Sequence, residues 1–154
     1  MYRQPSVLSC ALAATSAFAL IALSSTAIGD PPDDNFGVEG KGRMHTNVDG
    51  TRTNERVEGG YSLSGASSVS GEFEGDTQSV SFSADADPKR RGFVFKLSGG
   101  DATADTPSGT VNYDNARGWL KAKETRRGTT VSKIKIKART ADGDRLHLRA
   151  RGKD

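Results

Sequence analysis

Lys133-Ile134-Lys135-Ile136-Lys137-Ala138-Arg139 is followed, after Ala141-Asp142-Gly143, by Arg145-Leu146-His147-Leu148-Arg149-Ala150-Arg151. Cationic and apolar residues alternate with a period of two through both runs. That pattern makes β-strands with one wet face and one buried face. A three-residue loop ending in glycine suits a type I turn followed by a bulge. It pairs Ala138 with Leu146, Ile136 with Leu148 and Ile134 with Ala150, so both apolar sets point the same way.

The same logic extends upstream. Arg126-Arg127-Gly128 has the same loop form and joins residues 117–125 to the basic strand, pairing Leu120 with Ile134. Near the start, Asp49-Gly50 between alternating runs is the strongest short signal of a two-residue type I′ hairpin. Pairing Val48 with Thr51 sets Phe36 opposite Leu63, Val38 opposite Tyr61 and Gly42 opposite Val57. It also turns Glu55 inward, opposite Met44. A loop at Gly65-Ala66-Ser67 sets Tyr61 against Gly71 and Phe73 against Gly59. Large rings over glycines are what the interior of a narrow barrel requires.

Gly75-Asp76 is predicted as a two-residue turn into Val80, Phe82 and Ala84. Residues 85–92 read as a polar turn, and Phe93, Phe95 and Leu97 as one face of the next strand. Residues 98–107 (SGGDATADTP), low in bulk, read as the longest loop. Asn115-Ala116 is predicted to turn the chain and bring Tyr113 opposite Gly118. The expected fold is all-β, an antiparallel meander of about nine strands. It closes as an up-and-down barrel or a barrel-like curled sheet, with a two-layer β-sandwich as the alternative.

Residues 1–29 read as a cleaved signal peptide. Arg3 supplies the positive start, residues 11–23 (ALAATSAFALIAL) the apolar run, and Ala27 and Gly29 the small residues of a cleavage site near Gly29. Residues 30–35 form a polar leader, and residues 36–154 a single β-domain with an acidic first half and basic C-terminal hairpins. The expected location is the periplasm or beyond, with no transmembrane segment after cleavage. Cys10 is the only cysteine, so the mature domain holds together by packing without disulfides.

The net charge of +3 averages over a division. Residues 30–116 carry 8 Lys+Arg against 15 Asp+Glu, a net of −7. Residues 117–154 carry 13 against 4, a net of +9. Such asymmetry bears on partners and surface field rather than on fold.

Enzyme signatures are absent. Residues 60–65 (GYSLSG) have the wrong spacing for a nucleophile elbow, and residues 37–42 (GVEGKG) lack the strand–helix setting of a phosphate or dinucleotide loop. His45 and His147, the only histidines, fall on outer faces, and zinc requires more ligands than they supply. No enzyme activity, metal or cofactor is expected. The outward residues of the basic hairpins are the candidate binding set: Arg117, Trp119, Lys121, Lys123, Lys133, Lys135, Lys137, Arg139, Arg145, His147, Arg149 and Arg151. Cations around an aromatic are the composition of a polyanion surface. The partners it suggests are anionic polysaccharide, lipid headgroups or nucleic acid. Against this stand a solvated face that only prevents aggregation, acidic strands folding over the basic ones, and Trp119 turning into the core. A barrel holding a small apolar ligand and a structural envelope protein are the other functional classes.

Overall fold

The computed structural model describes residues 35–89 and 93–153. The expected signal segment and residues 30–34 of the leader lie outside them. Eight antiparallel strands follow in chain order: β1 (Phe36–Val48), β2 (Thr51–Ser64), β3 (Ser68–Glu74), β4 (Ser79–Lys89), β5 (Val94–Thr106), β6 (Gly109–Glu124), β7 (Thr130–Arg139) and β8 (Arg145–Lys153). Each pairs with the next, and β8 returns to β1 to close the barrel. Among the described residues there is no helix.

The first hairpin has the predicted register throughout, from Phe36–Leu63 to Val48–Thr51. Asp49 and Gly50 take φ of 49° and 80°, the left-handed pair that a type I′ turn demands. Gly128 and Gly143 also have positive φ, as the two C-terminal loops require. Glu55, turned inward at one end of the barrel, accepts hydrogen bonds from the Thr77 amide and hydroxyl and from the Gln78 side chain. Partial burial raises the pKa of its carboxyl, but these bonds and one from the Asp76 amide outweigh burial and leave it below the ordinary value.

The strand count falls from nine to eight because the two strands expected on either side of Asn115-Ala116 are one, β6, and residues 98–106 belong to β5 rather than to a loop. Their small side chains are complements to large neighbours. Ala102 lies between Phe82 on β4 and Tyr113 on β6, and Ala104 lies opposite Val80. All five of these side chains are buried. Asn115 does not turn the chain. It sits inside β6 at φ 57°, among the register shifts between β5 and β6, so the left-handed tolerance of asparagine is used in a bulge. Tyr113 therefore meets Ala102, while Gly118 pairs with Leu97 and Ile136.

Two further turns differ from expectation. Residues 75–78 form a four-residue loop closed by a 2.8 Å bond from the Gly75 amide to the Gln78 carbonyl. The extra length buries Gln78, which accepts a bond from the Thr46 hydroxyl. β4 also extends through Lys89, so much of the predicted polar turn is strand. Phe93 lies just before β5, half-buried, rather than in the core with Phe95 and Leu97.

The interior is filled by Tyr61, Phe73, Phe82, Phe95 and Tyr113 together with Met44, Leu63, Leu120, Ile134, Ile136 and Leu148. Tyr61 and Phe73 tilt against each other at 6.0 Å between centroids, and the Tyr61 hydroxyl is 2.7 Å from that of Ser132. Burial pushes both Tyr61 and Tyr113 up to about 12.

Candidate polyanion-binding face

Strand alternation that buries Leu120, Ile134, Ile136, Leu146 and Leu148 turns the polar residues between them outward. Ladder pairing then sets cations beside cations. Lys121 faces Lys133, Trp119 faces Lys135, and Arg117 faces Lys137. Lys133 faces Arg151, Lys135 faces Arg149, Lys137 faces His147, and Arg139 faces Arg145. Each of these pairings follows from the two loop forms read in the sequence.

Barrel closure enlarges this face. β8 lies beside β1, which places Lys41 opposite Arg151, Arg43 opposite Arg149 and His45 opposite His147. Arg43 in turn faces Arg56 on β2. Lys41, Arg43, His45 and Arg56 are thus part of the face although they come from the acidic half of the chain. The β1–β2 hairpin already aligned Arg43 with Arg56; the closing register joins that pair to Arg149.

The cations divide into three clusters. A surface cavity of about 860 Å³ is lined by Trp119, Lys133, Lys135, Arg149 and Arg151 with Lys41, Arg43, His45 and Arg56. A second, of about 600 Å³, is lined by Arg117, Lys137, Arg139, Arg145 and His147. Lys123, near one end of the barrel and opposite Val131, borders a third, of about 330 Å³, with Lys121 and Lys133. Lys121 reaches back over Trp119, with its Nζ 5.0 Å from the ring centroid. This is a cation–π contact. Trp119 is half-buried on the outer wall rather than in the core.

The acidic strands do not cover this face. Glu72, Glu74, Asp85, Asp101 and Asp105 project outward from β3, β4 and β5, across the barrel from β8. Among the described residues, the face contains one ion pair, Lys41 with Glu58. The other ion pair, Lys89 with Asp87, lies at the end of β4.

His147 registers the resulting field. Its Nε2 accepts a 3.0 Å bond from Arg149 Nε, and its ring centroid lies 6.1 Å from that of His45. Desolvation, then Arg149, Lys135, Lys137 and His45, depress its pKa from 6.5 to about 4. Lys135 is lowered as well, by desolvation and by Lys137 and Arg149. An unfolded chain protonates this histidine near pH 6.5, whereas the folded chain resists until about pH 4. Folding stability should therefore fall as pH drops between those values, by about 1 kcal/mol once solvent screening of the half-exposed ring is allowed for. In thermal melts across that interval wild type should lose stability relative to His147→Gln as pH falls; parallel curves would contradict this assignment.

Among the described residues, no three His, Cys, Asp or Glu side chains converge into a metal-binding group. Comparison with family models, curated proteins and solved structures finds no match.

Proposed function

We propose that this chain is an exported, non-enzymatic β-barrel that binds anionic polymers through the outer face of β6, β7, β8, β1 and β2. The observation that carries the reading is the rank of like charges across adjacent strands, with carboxylates only at its margins, at Glu39, Glu58 and Asp114. Like charges directly opposite on a ladder destabilise a sheet. Solubility alone would be served equally by mixed signs, which cost nothing across the ladder. An anionic chain laid on the face removes the repulsion and releases its own counterions.

Export rests on the sequence of residues 1–29. The alternative of a cup for a small apolar ligand gains little support from an interior occupied by five aromatic rings. A structural role through exposed sheet edges gains little from a barrel in which β1 and β8 pair.

The test is retention on an anionic column across a salt series. Wild type is compared with a variant carrying Lys133→Gln, Lys135→Gln, Arg149→Gln and Arg151→Gln. Wild type should elute at distinctly higher salt, and elution of both at the same salt would sink the proposal.

A further inference from the structure

One row of the face runs across the strands without interruption. Lys96 on β5 faces Trp119 on β6, which faces Lys135 on β7. Lys135 faces Arg149 on β8, Arg149 faces Arg43 on β1, and Arg43 faces Arg56 on β2. The row therefore contains five cations and one tryptophan on six adjacent strands. Beyond Lys96 the ladder continues to Asp87, so the cationic track ends there. With strands about 4.8 Å apart, the row is about 24 Å long. Trp119, Lys135, Arg149, Arg43 and Arg56 all border the same 860 Å³ cavity, so most of the row lines one continuous depression.

The curvature of this row selects among anions. It passes around six of the eight strands of a closed barrel. A planar lipid surface touches a barrel along a narrow band and leaves the ends of such a row unmet. A nucleic-acid duplex, stiff over about 150 base pairs, cannot follow so tight a bend. A single flexible chain can. The guanidinium groups of Arg149, Arg43 and Arg56 suit forked hydrogen bonding to phosphate oxygens. Trp119 stands at one end of this arginine run, flanked by Lys96 and Lys135. An aromatic ring beside a cationic track is the arrangement that holds unpaired bases while the backbone follows the charge.

We infer that the polymer bound by this face is single-stranded nucleic acid, its backbone lying across the strands along Lys135, Arg149, Arg43 and Arg56 and one base stacked on Trp119. This rests on the polyanion reading and narrows it to one class of ligand.

The experiment measures binding by fluorescence anisotropy of a labelled oligothymidine of about twelve nucleotides. Unlabelled duplex of equal length, a sulfated glycan and anionic phosphatidylglycerol vesicles serve as competitors. Wild type should bind the oligothymidine with a log–log salt slope of about −3, from four cations at about 0.7 each. Arg43→Gln with Arg149→Gln should reduce the slope to about −1.5. Trp119→Ala should weaken oligothymidine binding on the order of tenfold, with Trp119→Phe largely restoring it. Glycan binding should be unaffected by either Trp119 change. Because Trp119 is on the outer wall, circular dichroism should show both variants folded. Equal competition by duplex or vesicles, or equal loss of oligothymidine and glycan binding in Trp119→Ala, would overturn the inference. Tight glycan binding without oligothymidine binding would leave the broader reading standing and this one fallen. Binding of neither polymer, nor of vesicles, would end both.

Discussion

Replacing Gly118 by alanine should destabilise the barrel by about 3 kcal/mol or more, a large effect for adding one methyl group. Gly118 faces inward on β6, between Leu97 of β5 and Ile136 of β7. A Cβ at this position would lie 1.7 Å from the Lys135 carbonyl oxygen and 2.8 Å from its carbon. The obstacle is backbone, so no rotamer change relieves it. Either β6 moves away from β7 or the Lys135 peptide rotates out of the ladder. Both responses open the seam that holds Trp119 beside Lys135. Gly37 provides a matched control. It is an outward strand glycine whose added Cβ would meet nothing closer than the Ser62 Cβ at 3.9 Å. Gly37→Ala should stay within about 0.5 kcal/mol of wild type. Thermal melts should then separate the two variants by roughly 10 °C. Coincident melts would show that the sheet accommodates the methyl group and that β6–β7 packing is looser than this geometry implies.

Gly118 also marks how much of the fold could be read from sequence. Its partner on β7 followed from the Arg126-Arg127-Gly128 loop, but its partner on the other side did not. The expected turn at Asn115-Ala116 placed it opposite Tyr113, whereas Leu97 of β5 lies there. The error began with residues 98–106, whose lack of bulk resembled a loop. Bulk is a poor guide inside a barrel, because Phe82 and Tyr113 leave room only for Ala102 between them. That complementarity is a three-strand property, absent from any single run of residues. Loops with strong local chemistry behaved otherwise. Asp49-Gly50, Arg126-Arg127-Gly128 and Ala141-Asp142-Gly143 fix their registers by turn geometry alone, and the flanking apolar sets agree with them.

The candidate face divides along the same line. Its β6–β8 part follows from two hairpin loops and was legible residue by residue. The transverse row was only partly legible, because Arg43 and Arg56 join it through barrel closure. Closure couples residues more than a hundred positions apart, with Arg43 beside Arg149. Charge counting over the chain even argued against it, since Arg43 and Arg56 lie in the half whose net charge is negative.

Neutralising the centre of the face should move stability and binding in opposite directions. Lys133, Lys135, Arg149 and Arg151 form two direct like-charge pairs on β7 and β8. Arg149 and Arg151 form two more with Arg43 and Lys41 on β1. Lys133 forms a fifth with Lys121 on β6. Glutamine keeps most of the length of these side chains and removes five repulsions of some tenths of a kcal/mol each. The quadruple variant should therefore be more stable than wild type by about 1 kcal/mol at low salt, and the difference should shrink as salt screens the pairs. Affinity should change far more. Lys135 and Arg149 lie on the row that holds the single-stranded backbone, and losing these two phosphate contacts should lower its salt slope by about 1.5 and weaken binding at ~0.1 M salt by on the order of 30-fold. Denaturation midpoints and binding isotherms over one salt series read both effects. A face kept only to hold molecules apart gives the stability gain without the affinity loss, because wild type then has no affinity to lose. A face whose long side chains already spread into solvent gives no stability gain, because the repulsion has been dissipated. Gain and loss together are the mark of a surface that holds unfavourable charge in place for a ligand that neutralises it.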